Sequence, residues 1–116
     1  MKKCVILDDD QAAISVVVHL LLSQPSNLTV VATYNNVEEA LDYLNKHNDI
    51  DILFLDVHLP QMSGFAFLDV LKTRPKVILT SSDKNLALTA YDFDLVVDYL
   101  VKPLQKDRFI QAINQC

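Results

Sequence analysis

The apolar run Ile52–Leu55, followed directly by Asp56, constrains the fold more than any other part of the sequence. Four consecutive apolar residues bounded by turn signals are typical of a strand buried on both faces, and such strands occur in parallel sheets. The loop that follows contains Pro60 and the only glycine of the chain, Gly64. Where a parallel strand ends, the backbone enters the crevice in which open α/β sheets hold their ligands. The run therefore predicts a parallel sheet with Asp56 at its functional edge.

Four more apolar runs alternate with segments of helical periodicity. The predicted strands are residues 4–7, 28–32, 52–56, 77–79 and 96–101. The first helix is predicted over residues 11–23, with Asp10 as its N-cap, because apolar residues recur there at helical spacing. Asn36 and Glu39 form a pattern similar to a capping box at the start of the second helix, and three more helical patterns follow. This alternation indicates right-handed βαβ units and a three-layer α/β sandwich.

Composition and charge limit the classes of function. The 116 residues are enough for one domain with a single hydrophobic core. The net charge of -5 argues against nucleic-acid binding by the domain's own surface. No apolar run approaches the roughly 20 residues of a membrane span and no signal-peptide pattern is present, so a cytoplasmic location is expected. Cys4 and Cys116 are predicted to be reduced.

Polar side chains collect at the ends of the predicted strands. They are Asp8, Asp9 and Asp10 after the first strand, Asp56 after the third, Ser81 after the fourth and Lys102 after the fifth. In a right-handed parallel sheet these ends share one edge. Several carboxylates in one crevice repel each other unless a cation lies among them, and oxygen ligands of this kind suit Mg²⁺. A carboxylate nucleophile, a divalent metal ion, a hydroxyl and a lysine together suit phosphoryl transfer.

These segments resemble the receiver domains of two-component response regulators. The motifs that carry the resemblance are Val5–Asp9, Leu53–Gly64, Leu79–Ser82 and Asp98–Pro103, which together span nearly the whole chain. The last motif is also similar to receivers joined to a LytTR-type DNA-binding domain. The resemblance implies a flavodoxin-like (βα)5 sandwich whose five-stranded parallel sheet has the order 2-1-3-4-5.

The resemblance also implies a metal site and a phosphoacceptor. Asp56 would accept the phosphoryl group and contribute to the metal site. Asp9 would bind Mg²⁺ directly, and Asp8 mainly through water. The backbone carbonyl of His58 would complete the protein's share of the metal shell, which leaves the His58 side chain free to affect the lifetime of the phosphoryl group. Asp10 stands where the family varies and is expected only to cap the helix.

Three further residues match the switch positions of the family. Ser81 would be the hydroxyl that moves to meet the phosphoryl group, and it is preferred to its neighbour Thr80 because it precedes a small residue. Lys102 would pair with a phosphoryl oxygen, and the Lys102-Pro103 peptide bond is expected to be cis. Tyr99 matches the aromatic residue that turns inward when the hydroxyl moves.

The function implied is that of a switch rather than of an enzyme that turns over a substrate. A sensor histidine kinase would donate to Asp56 in the presence of Mg²⁺, and the domain itself would hydrolyse the product slowly. Output would pass through the face formed by the fourth helix, fifth strand and fifth helix, which is also a possible homodimer surface. Residues 1–116 are expected to be the N-terminal receiver part of a longer transcription regulator, with DNA bound only by an effector outside this chain.

Two alternatives use the same residues differently. A haloacid-dehalogenase-type phosphatase also has two strand-end acids with one residue between them, a pattern that Asp8 and Asp10 imitate. However, Gln11 and Ala12 stand where that motif has a glycine and a hydroxyl, and no acidic pair follows Lys102. The second alternative, an inert flavodoxin-like interaction module, predicts no dependence on metal and gives no role to the acids, the hydroxyl and the lysine.

Overall fold

The computed structural model describes all 116 residues, Met1 to Cys116, as one five-stranded sheet with helices on both faces. The strands are β1 (Lys2–Leu7), β2 (Leu28–Tyr34), β3 (Ile52–Asp56), β4 (Lys76–Ser81) and β5 (Val96–Val101). All four strand pairings are parallel, and the spatial order is β2-β1-β3-β4-β5. The predicted fold and strand order are therefore confirmed.

The helices differ in length between the two halves of the chain. They are α1 (Gln11–Leu22), α2 (Val37–Lys46), α3 (Gly64–Val70), α4 (Ala87–Ala90) and α5 (Lys106–Ile113), with a 3-10 turn at Lys84–Leu86 before α4. The Asp10 carboxylate accepts a hydrogen bond from the Ala12 N–H and caps α1, as predicted. The Asn36 side chain caps α2 by accepting from the Glu39 N–H. No helix in the structure is both long enough and apolar enough to cross a membrane.

The two faces of the sheet bury separate apolar clusters. In β3, Leu53 and Leu55 join a cluster under α2, α3 and α4, whereas Ile52 and Phe54 join a cluster under α1 and α5. The Phe54 ring stacks on Phe109 of α5 with ring centroids 5.6 Å apart. Because every residue of β3 is buried, this central strand cannot shift by one residue without exchanging the two clusters. Packing on both faces thus fixes the position at which Asp56 leaves the sheet.

Several predicted boundaries were wrong by a few residues. Strand β4 runs from residue 76 to 81 rather than from 77 to 79, so Ser81 is the last residue of the strand and not the first after it. Strand β2 continues to Tyr34 because it keeps pairing with β1 up to Leu7. Helix α4 is a single turn, since the 3-10 turn takes up the first part of the segment.

Gly64 lies against the backbone that carries Asp56. A Cβ atom at this position would lie 2.8 Å from the Asp56 carbonyl oxygen and 3.0 Å from the Val57 Cα. The Gly64 N–H also donates to the Val57 carbonyl oxygen over 2.7 Å. The close approach holds the loop after β3 against the strand end, and only a residue without a side chain permits it.

We expect Gly64→Ala to lower the free energy of unfolding by about 1–3 kcal/mol, because backbone atoms beside Asp56 must move to admit the methyl group. Chemical denaturation measures this value. Asp69→Ala, at an exposed position of the same helix, serves as the control and should change stability little. Equal stability of Gly64→Ala and the unchanged protein would contradict the packing described here.

Candidate functional site

Three carboxylates meet at the carboxyl edge of the sheet. Asp8 and Asp9 follow β1, and Asp56 ends β3. One oxygen from each lies within 4.8 Å of the other two. Asp8 and Asp56 are buried, each with 4% of its surface exposed, whereas Asp9 is open to solvent. The strand ends therefore bring these acids together, as their positions in the sequence predict.

Backbone hydrogen bonds hold the first acidic residues in place. The Asp8 N–H donates to the Tyr34 carbonyl oxygen over 3.0 Å, which extends the pairing of β1 with β2 by one residue. The Asp8 carboxylate accepts from the Asp10 N–H over 3.0 Å. Asp10 itself is exposed and caps α1, so it lies outside the cluster. A phosphatase site built from Asp8 and Asp10 is not supported by this arrangement.

Lys102 provides the positive charge of the site. Its Nζ lies 3.0 Å from Asp8 Oδ2 and 3.6 Å from Asp56 Oδ1. The Lys102 N–H donates to the Ser81 carbonyl oxygen over 2.7 Å, which fixes the lysine at the end of β5. The Lys102-Pro103 peptide bond is cis, as predicted. The ammonium group thus contacts two of the three carboxylates.

The electrostatics of the cluster show that one ammonium group does not neutralise it. Burial, together with the charge of Asp8, raises the pKa of Asp56 to about 6 in spite of the opposing effect of Lys102. Burial alone would lower the pKa of Lys102, but its hydrogen bond to Asp8 and the charge of Asp56 outweigh burial and raise the pKa. The site therefore retains an excess of negative charge beside a desolvated carboxylate.

The donor set fits a small divalent cation. Mg²⁺ prefers oxygen ligands, uses one or two carboxylates and keeps several waters. Asp8, Asp9 and Asp56 offer three oxygens, and the exposed position of Asp9 leaves one side of the cluster open to water. The ammonium of Lys102 lies beside Asp8 and Asp56, so a cation near Asp9 would complete the neutralisation of the site. Chemically, the arrangement suits a buried carboxylate that attacks a phosphorus atom next to a bound metal ion.

Ser81 is completely buried at the end of β4, and its hydroxyl has two partners. The Asp83 N–H donates to Ser81 Oγ over 2.9 Å. The imidazole Nε2 of His58 lies 3.0 Å from the same oxygen. Sequence reasoning did not predict this contact: the loop after β3 brings the His58 ring within hydrogen-bonding distance of β4, and a role of the ring in phosphoryl lifetime stays a prediction. The neighbouring Thr80 instead lines a cavity of about 270 Å³ with Asp8, Lys102 and Pro103.

Tyr99 is buried beside the site, with 5% of its surface exposed. Its hydroxyl donates a hydrogen bond to the backbone carbonyl of Asp83, the residue whose N–H contacts Ser81. The peptide groups of Asp83 therefore connect the buried hydroxyl of Ser81 with the ring of Tyr99. Sequence reasoning selected Ser81 and Tyr99 but did not identify Asp83 as the link, because a backbone role leaves no residue-type signal.

The role of a third buried carboxylate, Asp98, was also missed from the sequence. It accepts hydrogen bonds from Arg108 over 2.9 Å, from Gln115 over 2.8 Å and from the Tyr91 hydroxyl over 3.1 Å. Burial by itself raises the pKa of Asp98, but the hydrogen bonds from Arg108 and its other donors outweigh burial and lower the pKa. The signal was present: an acid within an apolar strand is costly to bury unless it is paired. This network joins β5 to α5 and to Tyr91, the residue that follows α4.

Comparison with known proteins places this geometry in a family. Residues 4–114 match the family described as the response regulator receiver domain. The sensory transduction protein LytT of Bacillus anthracis is 30% identical over 99% of this chain and 47% of its own length. The transcriptional regulatory protein BtsR of Salmonella typhi is 27% identical over 99% of this chain and 48% of its own length. The chain thus spans about half the length of these curated relatives.

A solved structure shows the same fold. The crystal structure of a CheX-CheY-BeF₃-Mg²⁺ complex from Borrelia burgdorferi matches with a TM-score of 0.83 and 23% identity, over 97% of this chain and 86% of that chain. At this level of identity the likeness concerns the fold alone. The match with the receiver family favours the receiver interpretation over both alternatives considered from the sequence.

We expect Asp56→Asn to stabilise the metal-free protein by about 1–2 kcal/mol at pH 7, because the amide carries no buried charge beside Asp8. The pKa of an aspartate in the unfolded chain is about 4, below the value of about 6 in the folded protein. Between these values the folded state binds the additional proton, so the stability of the unchanged protein falls as pH rises through this window.

Thermal unfolding in EDTA at a series of pH values from 4 to about 7.5 measures this gain. The advantage of Asp56→Asn should shrink toward pH 4, where Asp56 is protonated in the folded protein and about half protonated in the unfolded chain. Asp69→Asn, which removes an exposed carboxylate, is the control and should show no such pH dependence. A gain that is absent, or that grows as pH falls, would contradict the electrostatics of the site.

Proposed function

We propose that this chain, which belongs to the family of response regulator receiver domains, accepts a phosphoryl group on Asp56 and thereby works as a switch in two-component signalling. The observation that carries the proposal is the meeting of Asp8, Asp9 and Asp56 within 4.8 Å, with the Lys102 ammonium 3.6 Å from Asp56. Receiver domains are signalling switches and not classical enzymes. The chemistry proposed here therefore modifies the protein itself.

In the proposed reaction, an Asp56 carboxylate oxygen attacks the phosphorus of a phosphohistidine on a sensor histidine kinase. The new P–O bond forms as the P–N bond breaks, and the electron pair of that bond returns to the imidazole nitrogen, which takes up a proton. The product is an acyl phosphate on Asp56. Water later attacks this acyl phosphate slowly, which releases inorganic phosphate and restores the carboxylate. The raised pKa of Asp56 does not prevent this chemistry, since the carboxylate is ionised above a pH of about 6.

The other residues of the cluster would bind the metal ion and the phosphoryl oxygens. Asp9 and Asp56 would hold Mg²⁺ directly, Asp8 mainly through water, and the His58 backbone carbonyl would supply one further oxygen. Held by these residues, Mg²⁺ would supply positive charge to the oxygens of the transferring group. Lys102 would pair with a phosphoryl oxygen on Asp56, and the contacts of its Nζ with Asp8 and Asp56 support this role.

The switch would depend on contacts that differ between the two forms of Asp56. A dianionic group on Asp56 offers acceptors to the Ser81 hydroxyl and to Lys102 that the bare carboxylate does not offer. A population shifts between two conformations only if the phosphoryl group interacts more favourably with one of them. A nearly complete shift needs a difference of about 5 kcal/mol in that interaction free energy. Movement of Ser81 would reach Tyr99 through the Asp83 peptide groups, which contact both residues.

The face formed by α4, β5 and α5 is proposed as the output surface. It contains Tyr99 at its inner side and exposes apolar side chains at Leu88, Tyr91 and Val101. Exposed apolar groups at the edge of a sheet favour contact with a second copy or with another domain, so a homodimer through this face is proposed as well. The network of Asp98 and Arg108 ties the elements of this face together.

The biological output is proposed to be control of transcription. One relative is a transcriptional regulatory protein, and this chain corresponds to about half of it. Residues 1–116 would then form the receiver part of a longer regulator whose effector domain binds DNA. The acidic charge of this domain, -5, agrees with DNA binding residing elsewhere.

We expect acetyl phosphate with Mg²⁺ to add one phosphoryl group to the protein at Asp56, because the metal ion and Lys102 stabilise the charge that develops during transfer. Intact-mass measurement followed by mapping of the modified peptide identifies the residue. Omission of Mg²⁺, or the change Asp56→Asn, should abolish the labelling. Asp69→Asn keeps the site intact and should be labelled normally. Labelling at Asp8, or labelling that survives in Asp56→Asn, would refute the proposed phosphoacceptor.

A further inference from the structure

The contact between His58 and Ser81 has no part in the functions assigned so far. His58 Nε2 lies 3.0 Å from Ser81 Oγ, within ordinary hydrogen-bonding distance. Ser81 is completely buried, whereas His58 is exposed at the mouth of the site. In this arrangement Ser81 is shielded from water, and the imidazole is the side-chain partner of its hydroxyl.

The hydrogen-bonding capacity of one hydroxyl is limited. A serine hydroxyl has one proton to donate and two lone pairs with which to accept. The Asp83 N–H already donates to Ser81 Oγ over 2.9 Å. Phosphoryl oxygens only accept hydrogen bonds, so a phosphoryl group on Asp56 needs the single proton of Ser81. A neutral imidazole whose Nε2 accepts that same proton competes directly with it.

We propose that His58 is a positioning residue whose imidazole accepts a hydrogen bond from the Ser81 hydroxyl and so competes with a phosphoryl oxygen for that hydrogen bond. The inference rests on the proposed phosphorylation of Asp56 and deepens it. Release of the hydroxyl from His58 is then a part of the switching step, and the strength of this one hydrogen bond sets how readily the domain adopts its phosphoryl-bound arrangement.

The consequence extends beyond the site. The Asp83 N–H donates a hydrogen bond to Ser81 Oγ, and the Asp83 carbonyl oxygen accepts one from the Tyr99 hydroxyl. While His58 holds the Ser81 hydroxyl, the Asp83 peptide groups and the ring of Tyr99 stay in the positions seen here. His58 therefore restrains the connection to the face of α4, β5 and α5 without contacting that face.

The side chain and the backbone of His58 can be tested separately. The proposed metal contact uses the backbone carbonyl, and the backbone N–H donates to Asp56 Oδ1 over 3.3 Å. Substitution of the exposed ring leaves both backbone groups in place. His58→Phe keeps a flat ring but removes the acceptor nitrogen, whereas His58→Gln can place an amide oxygen where Nε2 lies.

The experiment is a titration with beryllofluoride, a phosphoryl mimic, at saturating Mg²⁺, followed by NMR through the amide signal of Asp83. We expect His58→Phe to bind beryllofluoride about two- to tenfold more tightly than the unchanged protein, since one competing hydrogen bond is removed. His58→Gln should bind with nearly the affinity of the unchanged protein because the competing acceptor is restored.

The outcomes separate this inference from the proposed function. If the unchanged protein does not bind beryllofluoride with Mg²⁺, the proposed phosphoacceptor site fails. If it binds but His58→Phe binds equally or more weakly, the role of His58 is overturned. If His58→Gln binds as tightly as His58→Phe, loss of the ring rather than loss of the acceptor is responsible, and the inference is overturned as well.

Discussion

The burial and mutual repulsion of Asp8, Asp9 and Asp56 form the constraint on which the chemistry of this edge of the sheet depends. The sheet brings their oxygens within 4.8 Å of one another and buries two of the three residues. Lys102 contacts two of these carboxylates, yet the pKa of Asp56 stays raised, at about 6. The close approach of these carboxylates therefore lowers the stability of the folded protein, and a bound cation would reduce this electrostatic cost. The oxygen ligands of this cluster and its excess negative charge suit a small divalent cation.

The architecture makes this concentration of charge possible. The central strand β3 is buried on both faces, so its register is fixed by two apolar clusters that do not involve the site. The parallel arrangement then places the ends of β1, β3, β4 and β5 at one edge. Gly64 holds the following loop against the Asp56 backbone, where a methyl group would not fit. The two apolar clusters stabilise the fold, and the repulsion between carboxylates is confined to the carboxyl edge of the sheet.

Much of this was predictable from the sequence because strand ends carry a strong signal. The apolar runs predicted the strands. The acids and Lys102 that follow these runs predicted which edge of the sheet carries the site. Other features were not predictable. The extension of β4 through Ser81 depends on its pairing with β3 and β5, and the single turn of α4 depends on the preceding 3-10 turn. The contact of His58 with Ser81 joins residues 23 positions apart and requires the loop conformation to be known.

Diffraction from crystals in which Mn²⁺ replaces Mg²⁺ tests the central claim most directly, because Mn²⁺ also prefers oxygen ligands and is visible by anomalous scattering. The charge cluster predicts one strong anomalous peak bounded by the carboxylates of Asp8, Asp9 and Asp56, on the side where Asp9 is exposed. Well-ordered crystals with these carboxylates free of metal, or with the ion bound only elsewhere on this acidic domain, would contradict it.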